Sequence, residues 1–138
     1  MQIEVIGNVP KRQHEVDAGA DLEAAEHVTI PVGKRALVRT GTRLNLPPGL
    51  VGFITPRSGL AHKHGVTVHN SPGTIDTGYT GEIMVNLVNL GDEDFEIAPG
   101  DRIAQIVIQP IQKTFFDLVP AFTQRWGERG EDGHGSTG

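Results

Sequence analysis

The last ten residues of the chain carry polar groups that suit a phosphate and a flat ring. Arg129 could pair with a phosphate, the His134 imidazole could stack on a ring, and Ser136 and Thr137 could donate hydrogen bonds. Glycines such as Gly135 let the backbone approach a ligand closely. The same segment has too little apolar surface to offset the entropy of ordering, so it should be mobile by itself. Taken alone, a disordered tail is the simpler interpretation.

A second group of polar residues lies in the segment 56–61, where a strand is expected to give way to a helix. Free N–H groups and the dipole at a helix N-terminus attract anions. Arg57 would add a positive charge there, Ser58 a hydroxyl donor and Gly59 an accessible amide. This segment therefore predicts a phosphate site, although an ordinary capped helix with a surface arginine would explain it equally well.

Carboxylates occupy two further segments. Asp76 precedes Tyr79 by three residues, and Asp17 and Asp21 lie four residues apart. A turn aspartate commonly bonds its own backbone, and a tyrosine nearby commonly packs, so neither segment proves chemistry alone. Two aspartates hold Mg²⁺ weakly, but this ion is often held mainly by substrate phosphates and waters. The carboxylates could then act on the ion through those waters.

The elements that must position these groups are predominantly strands. Glycine and proline together make up about a fifth of the chain, which is typical of short strands joined by turns. Period-two patterns and short apolar runs predict strands at 3–6, 27–30, 35–39, 42–45, 51–55, 66–68, 81–89, 95–97 and 103–110. One short helix is predicted, with Ser58 as its N-cap and Gly65 as its stop. The pattern predicts an all-β jelly roll, sandwich or barrel.

Length and composition restrict the function further. The 138 residues suit one domain, and composition changes only after Phe122, which predicts a β-domain at 1–122 and a flexible arm at 123–138. With no cysteine there is no thiolate nucleophile or thiolate metal site. The net charge of −5 argues against a nucleic-acid partner. No leader or membrane-spanning run is evident, so the sequence predicts a cytoplasmic protein that does not bind membranes.

Five segments, taken in order, resemble the five motifs of the trimeric deoxyuridine triphosphate nucleotidohydrolases, the dUTPases. The resemblance covers nearly the whole chain, and all five motifs in this order are highly specific. The segments are 17–22, 56–61 with Lys63 and Gly65, 73–82, 100–105, and Arg129-Gly130, Gly133 and Gly135-Ser136-Thr137.

The resemblance implies a homotrimeric jelly roll that hydrolyses dUTP to dUMP and pyrophosphate with Mg²⁺. It also implies sites shared between subunits, closed by the arm of a neighbour. By position, Asp76 would activate a water, and Arg57, Ser58, the Gly59 amide and Gln105 would bind phosphate oxygens. Asp21 would bond a water coordinated to Mg²⁺.

The resemblance also implies how the substrate is selected. Asn70 would pair with the uracil edge, and Tyr79 would pack under the deoxyribose and exclude a 2′-hydroxyl. Arg129 would clamp the γ-phosphate, with Gly135, Ser136 and Thr137 closing over the phosphates. His134 departs from the usual phenylalanine that stacks on uracil, and a subset resembling actinobacterial enzymes shares this histidine. An imidazole titrates near neutrality, so the stacking ring itself could carry charge.

Two alternatives remain open at this point. A dCTP deaminase shares the fold and part of the phosphate motifs, but it needs a glutamate for amino-group chemistry on cytosine. A regulatory module could instead use the dUTPase scaffold to bind a protein partner. Assays of ammonia release from dCTP and pyrophosphate release from dUTP separate the first alternative, and a pull-down with and without dUTP tests the second.

Overall fold

A computed structural model of the chain describes residues 1–135, which form ten β-strands and one short helix. The strands are joined mostly by short turns that contain glycine or proline. In chain order, the elements are β1 (Glu4–Gly7), β2 (Gly19–Glu23), β3 (Val28–Ile30), β4 (Arg35–Asn45), β5 (Leu50–Thr55), α1 (Ser58–His64), β6 (Val66–Val68), β7 (Gly73–Ile75), β8 (Glu82–Asn89), β9 (Phe95–Ile97) and β10 (Arg102–Pro110).

Two four-stranded antiparallel sheets enclose the core. The first has the strand order β1-β4-β8-β6, and the second has the order β2-β10-β5-β7. A separate two-stranded pair joins β3 to β9. This arrangement is a β jelly roll, and it confirms the fold class predicted from the spacing of the strands.

The core follows from alternation along the strands. In β8, Ile83, Val85 and Leu87 are fully buried, while Met84 between them faces outward. Burying each aliphatic side chain stabilises the fold by about 1.5–3 kcal/mol. The buried amide of Asn89 satisfies its polar atoms by donating to the Ile30 and Glu93 carbonyls and accepting from the Gly91 amide.

Two strands are missing from the sequence-based prediction, and both are edge strands of the second sheet. The sequence predicts no strand around Asp17 and Asp21, but Gly19–Glu23 is β2, with Ala20 and Leu22 buried against the core. Gly73–Ile75 is β7, which pairs with β5. Three residues beginning with glycine carry little strand signal, so only the pairing reveals β7.

The predicted break between two strands at residues 40–41 was also wrong. β4 is continuous because two buried threonines satisfy their hydroxyls within the fold. Thr40 Oγ1 donates to the Ile83 carbonyl at 2.6 Å, and Thr42 Oγ1 donates to the Asn8 carbonyl at 2.8 Å. Their polarity disguised a strand whose register against β8 shifts between Arg39 and Arg43.

The helix begins one residue earlier than predicted. Arg57, with extended backbone, is the N-cap, and Ser58 is the first helical residue rather than the cap. The prediction for the C-terminus is confirmed, because Gly65 ends the helix in the left-handed conformation at φ 66°. Among residues 1–135, no helix has the length and apolar character needed to cross a bilayer.

Regular structure ends with β10 at Pro110. The described residues after it, 111–135, form no strand or helix and are exposed. Several large apolar side chains stand almost fully in solvent there: Phe115, Phe116, Leu118, Phe122 and Trp126. The division into a domain at 1–122 and an arm at 123–138 stays a prediction.

Candidate active site

The second sheet brings two predicted site residues together on its outer face. Gln105 of β10 lies directly opposite Asp21 of β2. Because strand side chains alternate between faces, these two point outward while their neighbours Ala20, Leu22 and Ile106 are buried. Directly paired residues have Cβ atoms about 5 Å apart, so the carboxylate and amide share one surface.

Arg57 reaches the same surface from the other side of β10. Gln105 also pairs with Thr55, the last residue of β5, and Arg57 follows two residues later. Arg57 Nε donates a hydrogen bond to Asp21 Oδ1 at 3.1 Å. Arg102 Nη1 lies 3.9 Å from the other carboxylate oxygen, Oδ2. The Asp21 side chain is 12% exposed and faces two guanidinium groups.

Gln13 is a site residue that the sequence did not indicate. Its Nε2 donates to Asp21 Oδ2 at 2.9 Å. The segment before β2 turns back so that Lys11 and Asp21 exchange backbone hydrogen bonds, which places Gln13 beside the carboxylate. A lone glutamine outside every motif carries no signal in the sequence. Arg102, by contrast, belongs to the segment 100–105, where a role as a neighbour of Asp21 could have been inferred.

These groups line an open cavity of about 380 Å³. The Gly59 amide belongs to the first turn of α1, and a Cβ added at Gly59 would meet no other atom. The Gln105 side chain lies against the Cα of Gly19, so a Cβ at position 19 would force the Gln105 amide to shift. The lining residues are Gln13, Asp17, Ala18, Gly19, Asp21, Arg57, Ser58, Gly59 and Gln105. The structure thus unites three of the segments singled out in the sequence.

A larger cavity, of about 460 Å³, lies at the other end of α1 and contains none of the predicted site residues. Its wall includes His62, Lys63 and His64 opposite the acidic segment 92–94. The His64 ring packs against Phe95 with centroids 5.1 Å apart. The chemistry therefore favours the smaller cavity as the active site.

The segment after β7 presents Asp76 and Tyr79 in a tight turn. The Tyr79 amide donates to the Asp76 carbonyl at 3.2 Å, and Tyr79 Oη donates to the Glu82 carbonyl at 2.9 Å. Thr77 Oγ1 bonds the Pro47 carbonyl at 3.1 Å, which ties the turn to the loop before β5. Asn70 precedes β7 and Asp76 directly follows it, and both are exposed.

Asp76 and the phosphate-type cavity do not meet within one chain. Asp21 lies on β2 and Asp76 directly follows β7, and these are the opposite edge strands of the second sheet. Three strand spacings of about 4.8 Å separate the edges by about 14 Å. Neither Asp76 nor Tyr79 lines the 380 Å³ cavity.

The arm residues lie apart from both groups. Arg129, His134 and Gly135 are exposed, and none of them lines the 380 Å³ cavity. The Asp132 amide donates to the Arg129 carbonyl at 3.3 Å. The predictions for Ser136 and Thr137 lie outside the described residues.

An ion pair between β4 and β8 lies next to the turn that carries Tyr79. Arg39 Nε donates to Glu82 Oε2 at 3.1 Å, and the Gly41 amide donates to Oε1 at 3.0 Å. The hydrogen bond from Arg39 is the main cause that holds the pKa of Glu82 below its usual value, with the Gly41 amide adding to the effect. Glu82 therefore stays ionised and bonded on both oxygens at neutral pH.

The donor set fits a divalent cation held mainly by a substrate. Within residues 1–135, no three acidic or histidine side chains converge on one point to form a metal cage. Asp21 nevertheless presents a carboxylate to the cavity, and about four acceptor positions are available on its two oxygens. Its two hydrogen-bond donors leave positions for a water on a phosphate-bound Mg²⁺.

Comparison with known proteins agrees with this geometry. A deoxyuridine 5'-triphosphate nucleotidohydrolase of Mycobacterium avium is 48% identical, over 94% of this chain and 87% of its own length. The dUTPase of Staphylococcus bacteriophage 80alpha, solved with dUpNHpp, superposes with a TM-score of 0.92 at 30% identity, over 99% of this chain and 98% of the phage chain.

A dUTPase of phage phi11 of S. aureus, which coordinates a structural Mg(II) ion, has a TM-score of 0.82 at 27% identity, over 90% and 100% of the two chains. The family model described as dUTPase matches residues 7–138. The mycobacterial relative also agrees with the actinobacterial resemblance inferred at His134. The chain belongs to the dUTPase family.

Proposed function

We propose that this protein hydrolyses dUTP to dUMP and pyrophosphate by in-line attack of water on the α-phosphorus, assisted by Mg²⁺. In the cytoplasm, this reaction would limit uracil incorporation into DNA and supply dUMP for thymidylate synthesis. Family membership and the named mycobacterial relative support the reaction. The observation that carries the proposal is the cavity that unites Asp21, Arg57, Ser58, Gly59 and Gln105.

The cavity residues would bind the triphosphate. Arg57 supplies a guanidinium that Asp21 orients through Nε. Its Nη1 also donates to the Arg102 carbonyl at 3.4 Å, which leaves Nη2 and the second N–H of Nη1 to meet phosphate oxygens. Ser58 would donate its hydroxyl, and the Gly59 amide lies in the first turn of α1 with open space above it. Gln105 is fixed by its hydrogen bond to the Pro56 carbonyl at 3.1 Å and would join from β10.

Asp76 would position and deprotonate the attacking water. A new bond forms from the water oxygen to the α-phosphorus as the bond to the bridging oxygen breaks and pyrophosphate leaves. A carboxylate is a weak base, so alignment and charge stabilisation supply most of the acceleration. When bound, Mg²⁺ neutralises charge on the phosphates. Asp21 would accept a hydrogen bond from a water on that ion.

Selectivity for deoxyuridine would come from the segments on either side of β7 and from the arm. Asn70 would pair with the uracil edge, so that cytosine would leave buried donors and acceptors mismatched. Tyr79 would pack under the deoxyribose. Arg129 and His134 would close over the γ-phosphate and the base, with Gly135, Ser136 and Thr137 completing the lid.

We propose that the protein is a homotrimer with shared sites, and the placement of these groups supports this. Asp76 and the proposed phosphate-binding cavity lie at opposite edges of one sheet, and a neighbouring chain would supply the Asp76 that acts on a substrate in this cavity. The exposed apolar side chains between Ile111 and Trp126 are a surface that a neighbouring chain would cover. The C-terminal arm of the third chain would then close over the same site.

The test is pyrophosphate release from dUTP, dTTP, dCTP and UTP by the full chain, with ammonia release from dCTP measured in parallel. We expect hydrolysis of dUTP at a rate far above that of the other three nucleotides. Ammonia release from dCTP, or equal hydrolysis of all four nucleotides, would contradict the proposal.

A further inference from the structure

The Tyr79 ring folds back onto its own chain at Gly81. A Cβ placed on Gly81 would lie 2.7 Å from Tyr79 Oη and 2.8 Å from Cζ, closer than real contacts allow. The ring keeps this position through the hydrogen bond from Oη to the Glu82 carbonyl at 2.9 Å. Any side chain at position 81 would therefore displace the ring.

The segment beneath the ring is fastened to β4. Arg43 Nε donates to the Thr80 carbonyl at 2.7 Å, and Arg43 pairs with Glu82 across the strands. The Glu82 carboxylate is in turn bonded to Arg39 and to the Gly41 amide. Carbonyl and carboxylate groups on both sides of Gly81 are thus held by the same neighbouring strand.

We propose that Gly81 and Arg43 are positioning residues that set how strictly the site excludes a 2′-hydroxyl. This inference rests on the proposed role of Tyr79 under the deoxyribose. The Tyr79 ring contacts Gly81 on one side, and because the residue is 45% exposed it still offers surface to a sugar.

Exclusion of one oxygen atom needs a wall that does not move. A pocket rejects an analogue with one extra group only weakly when its walls can shift, because the clash is then relieved at small cost. Gly81 lets the hydroxyl end of the ring approach the backbone closely, and the Arg43 hydrogen bond to Thr80 holds that backbone in place. Neither residue needs to touch the substrate.

The experiment compares kcat/KM for dUTP and UTP in Gly81→Ala and Arg43→Met, with Gly33→Ala and Arg35→Met as controls. Gly33 lies in the turn before β4 with open space around its Cα, and Arg35 starts the same strand as Arg43 at its far end. We expect the dUTP-to-UTP ratio to fall at least about fivefold in both test variants. The controls should keep the ratio of the unmodified protein. A general loss of folded protein lowers both rates equally and cancels in the ratio.

A second readout reports on the ring itself. Tyr79 is the only tyrosine in the chain, so protein labelled with fluorotyrosine gives one fluorine resonance. We expect that resonance to shift in Gly81→Ala and Arg43→Met and to stay in place in the two controls. Arg43→Lys keeps a cationic donor near Thr80 and should restore part of the ratio.

The outcomes distinguish the positioning role of Gly81 and Arg43 from the role of Tyr79 itself. If Tyr79→Ala lowers the ratio while Gly81→Ala and Arg43→Met leave it within about twofold, the positioning role is overturned and the role of Tyr79 survives. If Tyr79→Ala leaves the ratio unchanged, both are overturned. Should Gly81→Ala fail to fold, Arg43→Met and its lysine counterpart decide the question.

Discussion

Asp21 and Arg57 form an ion pair across β10, with Arg57 Nε 3.1 Å from Asp21 Oδ1. The two residues are 36 positions apart in the chain, and the pair joins the edge strand β2 to the start of α1. Gln13 occupies the second carboxylate oxygen, so the carboxylate is held on both sides. The orientation of the Arg57 guanidinium, which we propose binds phosphate, thus depends on Asp21, the residue that would also bond a water on the metal.

Asp21→Asn should lower kcat/KM for dUTP by about 10–100-fold, because a charge-assisted hydrogen bond contributes about 1.5–3 kcal/mol. Steady-state kinetics over a Mg²⁺ series check this, together with binding of a non-hydrolysable dUTP analogue without the metal. Glu23→Gln removes one charge from the same face of β2 and should leave both measurements nearly unchanged. Weakened analogue binding without Mg²⁺ would assign the effect to Arg57; unaltered kinetics would refute the role of Asp21.

Asp76→Asn keeps the shape of the side chain but removes the base. We expect turnover to fall at least ~10²-fold with nucleotide binding retained. Single-turnover assays and equilibrium binding of the dUTP analogue separate the two quantities. Asp92→Asn, in an exposed loop, serves as the control. Near-normal turnover in the Asp76 variant would remove this residue from the mechanism.

Mixed assemblies test whether a site draws on more than one chain. Arg57→Ala would disable the cavity of its own subunit. Asp76→Asn would disable the carboxylate after β7 that we propose each subunit contributes to a neighbour's site. Random reassembly of the two inactive variants in equal amounts should recover about a quarter of normal activity, since one in four site combinations pairs two intact parts. Activity that stays at the level of the separate variants would show that each chain builds its own site.

Removal of residues 125–138 tests the lid. Residues 125–135, the described part of this segment, contain no strand or helix, so the melting temperature should change little. Turnover of dUTP should fall at least ~10-fold, because the site can no longer close. His134→Phe is the matched variant that keeps a planar ring and should retain activity. A truncated chain with full activity would leave the arm without a catalytic role.

Acid should weaken the ion pair between Glu82 and Arg39, which lies next to the turn that carries Tyr79. Because the pKa of Glu82 is lower when folded than its usual value of 4.5, its stabilisation is present above that value and is lost as the pH falls through the folded pKa. Glu82→Gln should therefore cost stability at neutral pH and progressively less as the pH falls below about 4.5. Thermal unfolding of the unmodified protein and of Glu82→Gln, from about pH 3 to about pH 7, measures this difference in stability. A stability difference independent of pH would exclude the ion pair as its cause.

The sequence predicted the architecture well because most strands here alternate or run apolar in patterns that survive without tertiary information. It failed where pairing decides the structure. Thr40 and Gly41 interrupt the apolar pattern and predict a break, but the Thr40 hydroxyl bonds the Ile83 carbonyl inside a continuous strand. β7 has three residues and exists only because β5 offers it a free edge.

The site followed a similar division. The residues of the cavity could be named from motifs, because glycines, hydroxyls and charges in fixed order identify a phosphate-binding segment. Gln13 could not, since its contact with Asp21 depends on the backbone pairing of Lys11. Nor could composition show that Asp76 lies at the sheet edge opposite the cavity, because that separation is a property of strand order.

The position of β10 as the last strand among residues 1–135 has a consequence for the protein before it assembles. Both sheets are built from residues up to Pro110, so they can form without any strand from residues 111–135. A folded but unassembled chain would therefore expose an apolar, aromatic segment that includes Phe115 and Trp126. Until another chain covers that segment, it would be the region most accessible to chaperones and proteases.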